Sequence, residues 1–250
     1  MNGAIMKENL ESTKLTQTPE KALEQKKWEA IEDIRENYGI LFISALPKGF
    51  AEQLGMEGDE TWFRDALGLP TGSKNLKTVQ ATLEALPDTV EEGAVIIGGS
   101  PHSVYEQNQP WIERLEEFVR IMHARKKPLL GVCFGHQLIA HTFGGTVEKN
   151  PKGREFGTVM IDLEKEGERD PLFEGVPKRF QASAGHRDAI TKLPPLEKVA
   201  VLARNDMDAH QALAIGGTTR SVQFHPEIKP AVMEKVARFR EQILRDEGFL

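Results

Sequence analysis

Residues 129–143 read L-L-G-V-C-F-G-H-Q-L-I-A-H-T-F, and they set the chain's single cysteine where a strand turns sharply into a helix. Leu129 and Leu130 close a short apolar run after Pro128, while Leu138, Ile139 and Phe143 give the next segment an apolar face. Gly131 and Gly135 stand two residues to either side of Cys133. A strained strand-to-helix turn needs that spacing, because a side chain at either position collides with neighbouring backbone. Cys133 then stands at a helix N-terminus, where unpaired N–H groups and the helix dipole favour thiolate over thiol. A lone cysteine is by default a small buried hydrophobe; in this elbow it is a candidate nucleophile.

Working outward from the elbow, strands and helices alternate. Upstream, Gly39–Leu46 is an apolar run suited to a buried strand, Lys48–Leu67 has helical spacing interrupted by Gly55 and Gly58, and Lys77–Leu83 and Ala94–Ile97 read as strands. Ile112, Leu115, Phe118, Val119 and Met122 give Trp111–Lys126 the apolar face of a helix. Downstream, Gly144-Gly145 ends the elbow helix, and Thr146–Glu148 follows as a short strand. Residues 150–185 read as β-rich and loop-rich, with a strand at Gly157–Asp162 and a turn at Asp170-Pro171. Further strands are expected at Val199–Arg204, Ala212–Ile215 and Ser221–Phe224, and a closing helix at Pro230–Arg245. With the chemistry at strand ends, this order implies an open, doubly wound α/β sheet.

Thr18, Pro19 and Glu20 supply an N-cap, a first-turn proline and a first-turn acid, so a docking helix is expected over Pro19–Glu36. The chain therefore divides into an amino-terminal extension, residues 1–36, and one domain, residues 37–250. A 250-residue chain with 39% hydrophobic content buries one substantial core. Its formal net charge of −6 leaves no footprint for nucleic acid or an anionic membrane. Apolar runs are only a few residues long and the first ten residues lack the core of a signal peptide, so the expected location is cytoplasmic. A single cysteine excludes an intrachain disulfide framework.

Two further places carry legible chemistry. His225-Pro226-Glu227 follows the last expected strand. A nucleophilic cysteine needs an imidazole to take its proton, and the imidazole needs an acceptor to orient its other nitrogen. An acyl-transfer intermediate also needs two preorganised N–H donors. One falls to Phe134, after the nucleophile, and the other to the turn Gly98-Gly99-Ser100. No metal or cofactor is expected: His136 and His141 are five apart, missing the i, i+4 face of a helical pair, and Gly68–Lys74 is too short between its glycines for a phosphate loop.

Taken together, G-G-S-P-H-S-V-Y at 98–105, G-V-C-F-G-H-Q at 131–137 and V-Q-F-H-P-E at 222–227 resemble the class I glutamine amidotransferase superfamily, in that family's order, over roughly residues 39–240. P-W-I at 110–112, N-P-K-G-R-E-F-G at 150–157 and D-P-L-F-E-G at 170–175 are similar to free-standing members resembling the glutaminase domain of GMP synthetase. The resemblance implies a flavodoxin-like fold, a mostly parallel sheet with helices on both faces. It also implies a Cys133–His225–Glu227 triad that hydrolyses the γ-glutamyl amide of glutamine or a related compound through a thioester. Gly99, Ser100 and Phe134 would form the oxyanion hole, and Gln137, Gly185 and His186 would hold the α-amino and carboxylate ends of the γ-glutamyl group. Two departures, Gly-Ser-Pro at residues 99–101 and Ser183-Ala-Gly-His186 where a Ser-His pair is usual, bear on the substrate rather than the triad. No residues remain for an ATP-dependent synthase, so a free-standing hydrolase is the first expectation. A glutaminase subunit feeding ammonia to a separate synthase comes second, and a non-catalytic binding module third.

Overall fold

The computed structural model describes residues 39–249, so the expected extension and its helix over Pro19–Glu36 lie outside the described residues. The first half of the described chain alternates as expected: β1 (Ile40–Ser44), α1 (Phe50–Gln53), α2 (Asp59–Ala66), β2 (Leu76–Gln80), β3 (Ala94–Ile97), α3 (Pro110–Ala124), β4 (Leu129–Val132) and α4 (Phe134–Thr142). Strands dominate the second half, as β5 (Thr146–Lys149), β6 (Glu155–Leu163), β7 (Arg179–His186), β8 (Asp188–Lys192), β9 (Val199–Arg204), β10 (Ala212–Ile215) and β11 (Thr219–Val222). Two helices close the chain, α5 (Pro230–Phe239) and α6 (Glu241–Asp246). No described helix is long and apolar enough to cross a membrane.

Nine of these strands form one mixed sheet in the order β2-β1-β3-β4-β11-β10-β9-β6-β7, with β5 and β8 paired separately. From β2 to β11 every pairing is parallel, and from β11 to β7 every pairing is antiparallel. A parallel strand in mid-sheet is buried on both faces, which is why β1 and β3 are continuous apolar runs. Alternate residues then enter two cores. Leu41, Ile43 and Ile97 pack with Leu115 and Val119 of α3 and with Leu138 and Ile139 of α4. Phe42, Ile96 and Val132 join the other core with Phe63 of α2 and with Leu163 and Leu202.

Several boundaries differ from the sequence reading, three of them for a visible reason. β2 stops at Gln80 because Leu83 and Glu84 turn back to bond the Gln80 carbonyl, at 3.0 and 2.8 Å. The strand expected at Ser221–Phe224 is Thr219–Val222, after which Gln223 bonds the Gln211 carbonyl at 2.8 Å instead of continuing the ladder with β4. The closing helix is two helices meeting at Arg240, whose φ of −98° and ψ of 15° leave the helical region although neither proline nor glycine marks the place. Strand β7 went unread at the end of the loop-rich stretch and β8 just beyond it, and β7 positions the site.

Candidate active site

Cys133 has φ 53° and ψ −101°, a conformation that costs a non-glycine residue roughly 1–3 kcal/mol and is held only by its surroundings. Its N–H donates to the Val222 carbonyl of β11 at 2.9 Å. A β-carbon on Gly131 would collide with the Gly135 carbonyl, and one on Gly135 would collide with the Ile97 carbonyl. The two glycines therefore let α4 start against β4 and the end of β3. The Gly135 N–H also reaches the Gly98 carbonyl at 3.2 Å, which ties the Gly98–Ser100 loop to the elbow. Because β3, β4 and β11 are sheet neighbours, the loop, the cysteine and the segment after β11 emerge side by side.

That last segment is steered by β7. The His225 N–H donates to the Ser183 carbonyl at 2.8 Å, and the Ser183 hydroxyl donates to the Ile228 carbonyl at 2.9 Å. The His225 Nδ1 lies 2.6 Å from Glu227 Oε1, and its ring stands beside Cys133, close enough for their charges to interact. Burial pushes the thiol up, but the charge and hydrogen bond of His225, with the charge of His186, outweigh it and hold Cys133 below the usual thiol range. Burial likewise lowers His225, yet Glu227 and Cys133 raise it well above the usual histidine value. Both shifts favour the thiolate–imidazolium form of the pair over the neutral one.

Gly99 packs so closely that a β-carbon on it would lie 3.2 Å from His225 Cε1 and 3.7 Å from the Cys133 β-carbon. Among the described residues the N–H groups of Gly99, Ser100 and Phe134 donate to no protein acceptor. The three residues expected to hold the substrate fare differently. Gly185 lines the cavities beside Cys133. Gln137 borders one of them, but both of its amide hydrogens are used, on the Asp188 carbonyl and on Gln223 Oε1, each at 2.9 Å. His186 has Nδ1 2.9 Å from the Asp188 carbonyl and Nε2 2.8 Å from Glu155 Oε2. Both Gln137's nitrogen and His186's ring are thus engaged inside the protein.

His186 brings charge instead. A carbonyl and a carboxylate only accept, so both ring nitrogens donate and the ring is an imidazolium. Glu155 also accepts from Asn205 Nδ2 at 2.5 Å and Gln211 Nε2 at 2.6 Å. Burial opposes charge on both groups, but the His186 hydrogen bond leads the interactions that keep Glu155 below its usual value, and the Glu155 bond leads those that keep His186 above its own. His136, weighed above for a metal pair, is fully buried with Nδ1 2.8 Å from Ser221 Oγ, and burial drives it down to about 3, leaving it neutral.

Sequence reasoning missed two buried acids. Glu155 sat unremarked in N-P-K-G-R-E-F-G. Asp59 reads in the sequence as an acid complementing the start of α2, yet both its carboxylate oxygens accept from the Ser44 hydroxyl at 2.9 Å, and it lines the same pocket as Cys133, His225 and Glu227. Burial foremost, with the charge of Glu227, pushes Asp59 up to about 6 against the Ser44 bond. Two cavities meet at Cys133: an apolar pocket of about 70 Å³ bounded by Trp62, Phe63 and Met233, and a polar cleft of about 570 Å³ bounded by Gln137, His186 and Arg187.

A cysteine on a strand-to-helix elbow thus stands beside a buried histidine–carboxylate pair at the strand ends of an α/β sheet. Residues 71–243 match the family model described as glutamine amidotransferase class-I, and the chain belongs to that family. It is 40% identical over 136 residues to the glutamine-hydrolyzing GMP synthase of Thermosipho melanesiensis, an alignment covering 54% of this chain and 24% of that one. The chain thus spans about a quarter of that relative's length. It is 31% identical over 158 residues to a protein of Methanocaldococcus jannaschii named as one subunit of a glutamine-hydrolyzing GMP synthase, covering 62% of this chain and 80% of that subunit. Its fold is similar to a glutamine amidotransferase from Thermotoga maritima, with a TM-score of 0.69 at 16% identity, over 86% of this chain and 87% of that one.

Proposed function

We propose that the protein hydrolyses the γ-glutamyl amide of glutamine or a related γ-glutamyl compound, with Cys133 as nucleophile. The observation that carries this is the buried His225–Glu227 pair, Nδ1 to Oε1 at 2.6 Å, set beside Cys133 on the elbow. In this reading the thiolate adds to the amide carbonyl, and the oxyanion is received by the N–H of Phe134 with that of Gly99 or Ser100. The His225 imidazolium protonates the leaving nitrogen as the C–N bond breaks, leaving a thioester and free ammonia or amine. Neutral His225 then takes a proton from water, whose oxygen attacks the thioester, and returns the proton to the sulfur as glutamate departs. Glu227 holds the Nδ1 hydrogen throughout and stabilises the imidazolium.

The first reading is a free-standing hydrolase. A second, a glutaminase subunit passing ammonia to a separate synthase, is favoured by the match to most of the Methanocaldococcus protein, which is itself named as a synthase subunit. Glutamate release from glutamine, measured with the purified protein alone, separates them. Steady turnover that falls about 10⁴-fold in Cys133→Ser supports the hydrolase. Turnover that appears only when an ATP-dependent synthase is added supports the subunit. Turnover in neither case, or undiminished in Cys133→Ser, overturns the assignment.

A further inference from the structure

We propose that the cleft over Cys133 selects γ-glutamyl compounds whose leaving amine carries an anionic group, with Arg240 as the residue that receives it. The proposal rests on the γ-glutamyl chemistry above and names its substrate class. Arg240 stands at the break between α5 and α6, half-buried, and lines both cavities that meet at Cys133. Among the described residues its guanidinium makes no hydrogen bond and no ion pair. Burial and the nearby charge of Arg154 disfavour its protonated form, so two like charges are held together at the rim. Arg154 is neutralised by Glu247, with Nε 2.6 Å from Oε2. Arg187 and Lys149, both exposed, line the same cleft, and neither side chain has an ion-pair partner among the described residues.

The acids facing this cleft are already engaged. Glu106 receives His102 Nδ1 at 2.7 Å and the Ser103 N–H at 2.9 Å, and Asp188 receives the Ser103 hydroxyl. Three cations therefore make no ion pair among the described residues, and the charges of Cys133 and Glu247 only partly offset what disfavours a charged Arg240, while the γ-glutamyl unit itself presents a single carboxylate. The surplus fits a second anion, and the polar cleft is of the size that holds whole small molecules rather than a lone amide nitrogen, about 300–1,000 Å³. Ammonia leaving from glutamine would use none of it. An amine bearing a carboxylate would place that group against Arg240, whose planar fork suits carboxylates.

The test compares kcat/KM for γ-glutamylglycine, γ-glutamylmethylamide and a γ-glutamyl diamine in the wild-type protein and in Arg240→Gln and Arg240→Lys. The expected result is an advantage of about tenfold or more for γ-glutamylglycine over the methylamide, erased by Arg240→Gln and largely kept by Arg240→Lys, which retains the charge. Equal wild-type rates on the three compounds, or an Arg240→Gln effect that is the same on all of them, overturn the anion site. Silence on every compound overturns the hydrolase reading itself. The anion site is then judged by calorimetric titration of Cys133→Ser with γ-glutamylglycine and γ-glutamylmethylamide, where tighter binding of the first upholds it and equal binding overturns it.

Discussion

The charge on the Cys133–His225 pair is set by a contest between burial and contact. Desolvation alone would raise a buried thiol, and the imidazolium beside it reverses that. Replacing His225 with Asn should therefore do more than remove a base. Alkylation of Cys133 by iodoacetamide should shift to higher pH in His225→Asn than in the wild-type protein, to a midpoint above the free-thiol value of about 8.5. An unchanged alkylation profile would show that His225 does not govern the thiol. Asp59 obeys the same physics with the opposite sign. Its pKa is raised from 3.8 to about 6, so the folded state holds its proton more tightly than the unfolded chain does, and stability falls as pH rises between those values. Asp59→Asn should gain about 3 kcal/mol at pH 8 and nothing at pH 3, read by denaturant unfolding at both. Equal effects at the two pH values would remove Asp59's charge from the account.

Between elements, the buried Glu155–His186 pair joins β6 to β7, and through Asn205 and Gln211 it reaches the loop between β9 and β10. Removing the carboxylate leaves a buried cation uncompensated, a cost of roughly 3–5 kcal/mol. Because the folded pKa of His186 is raised, its contribution is complete below 6.5 and is lost as pH rises through the folded value. Because that of Glu155 is lowered, its contribution is complete above 4.5 and is lost as pH falls. Glu155→Gln should therefore destabilise most between about pH 4.5 and 6.5, and less toward pH 9. A deficit constant across that range would mean that the pair acts as a neutral hydrogen bond. The same elements explain which strands were legible. β1, β3 and β4 announce themselves as apolar runs bounded by glycine or proline, whereas β7 alternates polar and small residues in R-F-Q-A-S-A-G-H and is a strand because β6 pairs with it over eight residues.

Across the whole molecule, the sheet separates two cores that share no side chain. Leu115 is fully buried in one and Leu202 nearly so in the other. Each Leu→Ala substitution should cost about 2–5 kcal/mol, and the double variant should equal the sum within about 0.5 kcal/mol. A coupling of about 1 kcal/mol or more would show that the sheet transmits packing strain between its faces. Net charge also misleads at this scale. The −6 of the chain argues against anionic partners in general, yet Lys149, Arg154, Arg187 and Arg240 gather around one cleft. They come from β5, the turn before β6, the link from β7 to β8, and the junction of α5 and α6, and no window of sequence contains them together.

By itself, the sequence determined the elbow, the order of strands and helices up to α4, and the three motifs in which the site residues lie. Those features depend on local sterics and periodicity: glycines spaced around a strained cysteine, apolar runs, and a histidine two residues from an acid. Tertiary structure alone decided what depends on pairing at long range. It drew His225 onto β7, committed both nitrogens of His186 to Asp188 and Glu155, brought Asp59 beside Glu227, and broke the closing helix at Arg240. A buried polar group takes its role from the partner that compensates it, and Ser183 for His225 and Glu155 for His186 lie tens of residues away along the chain.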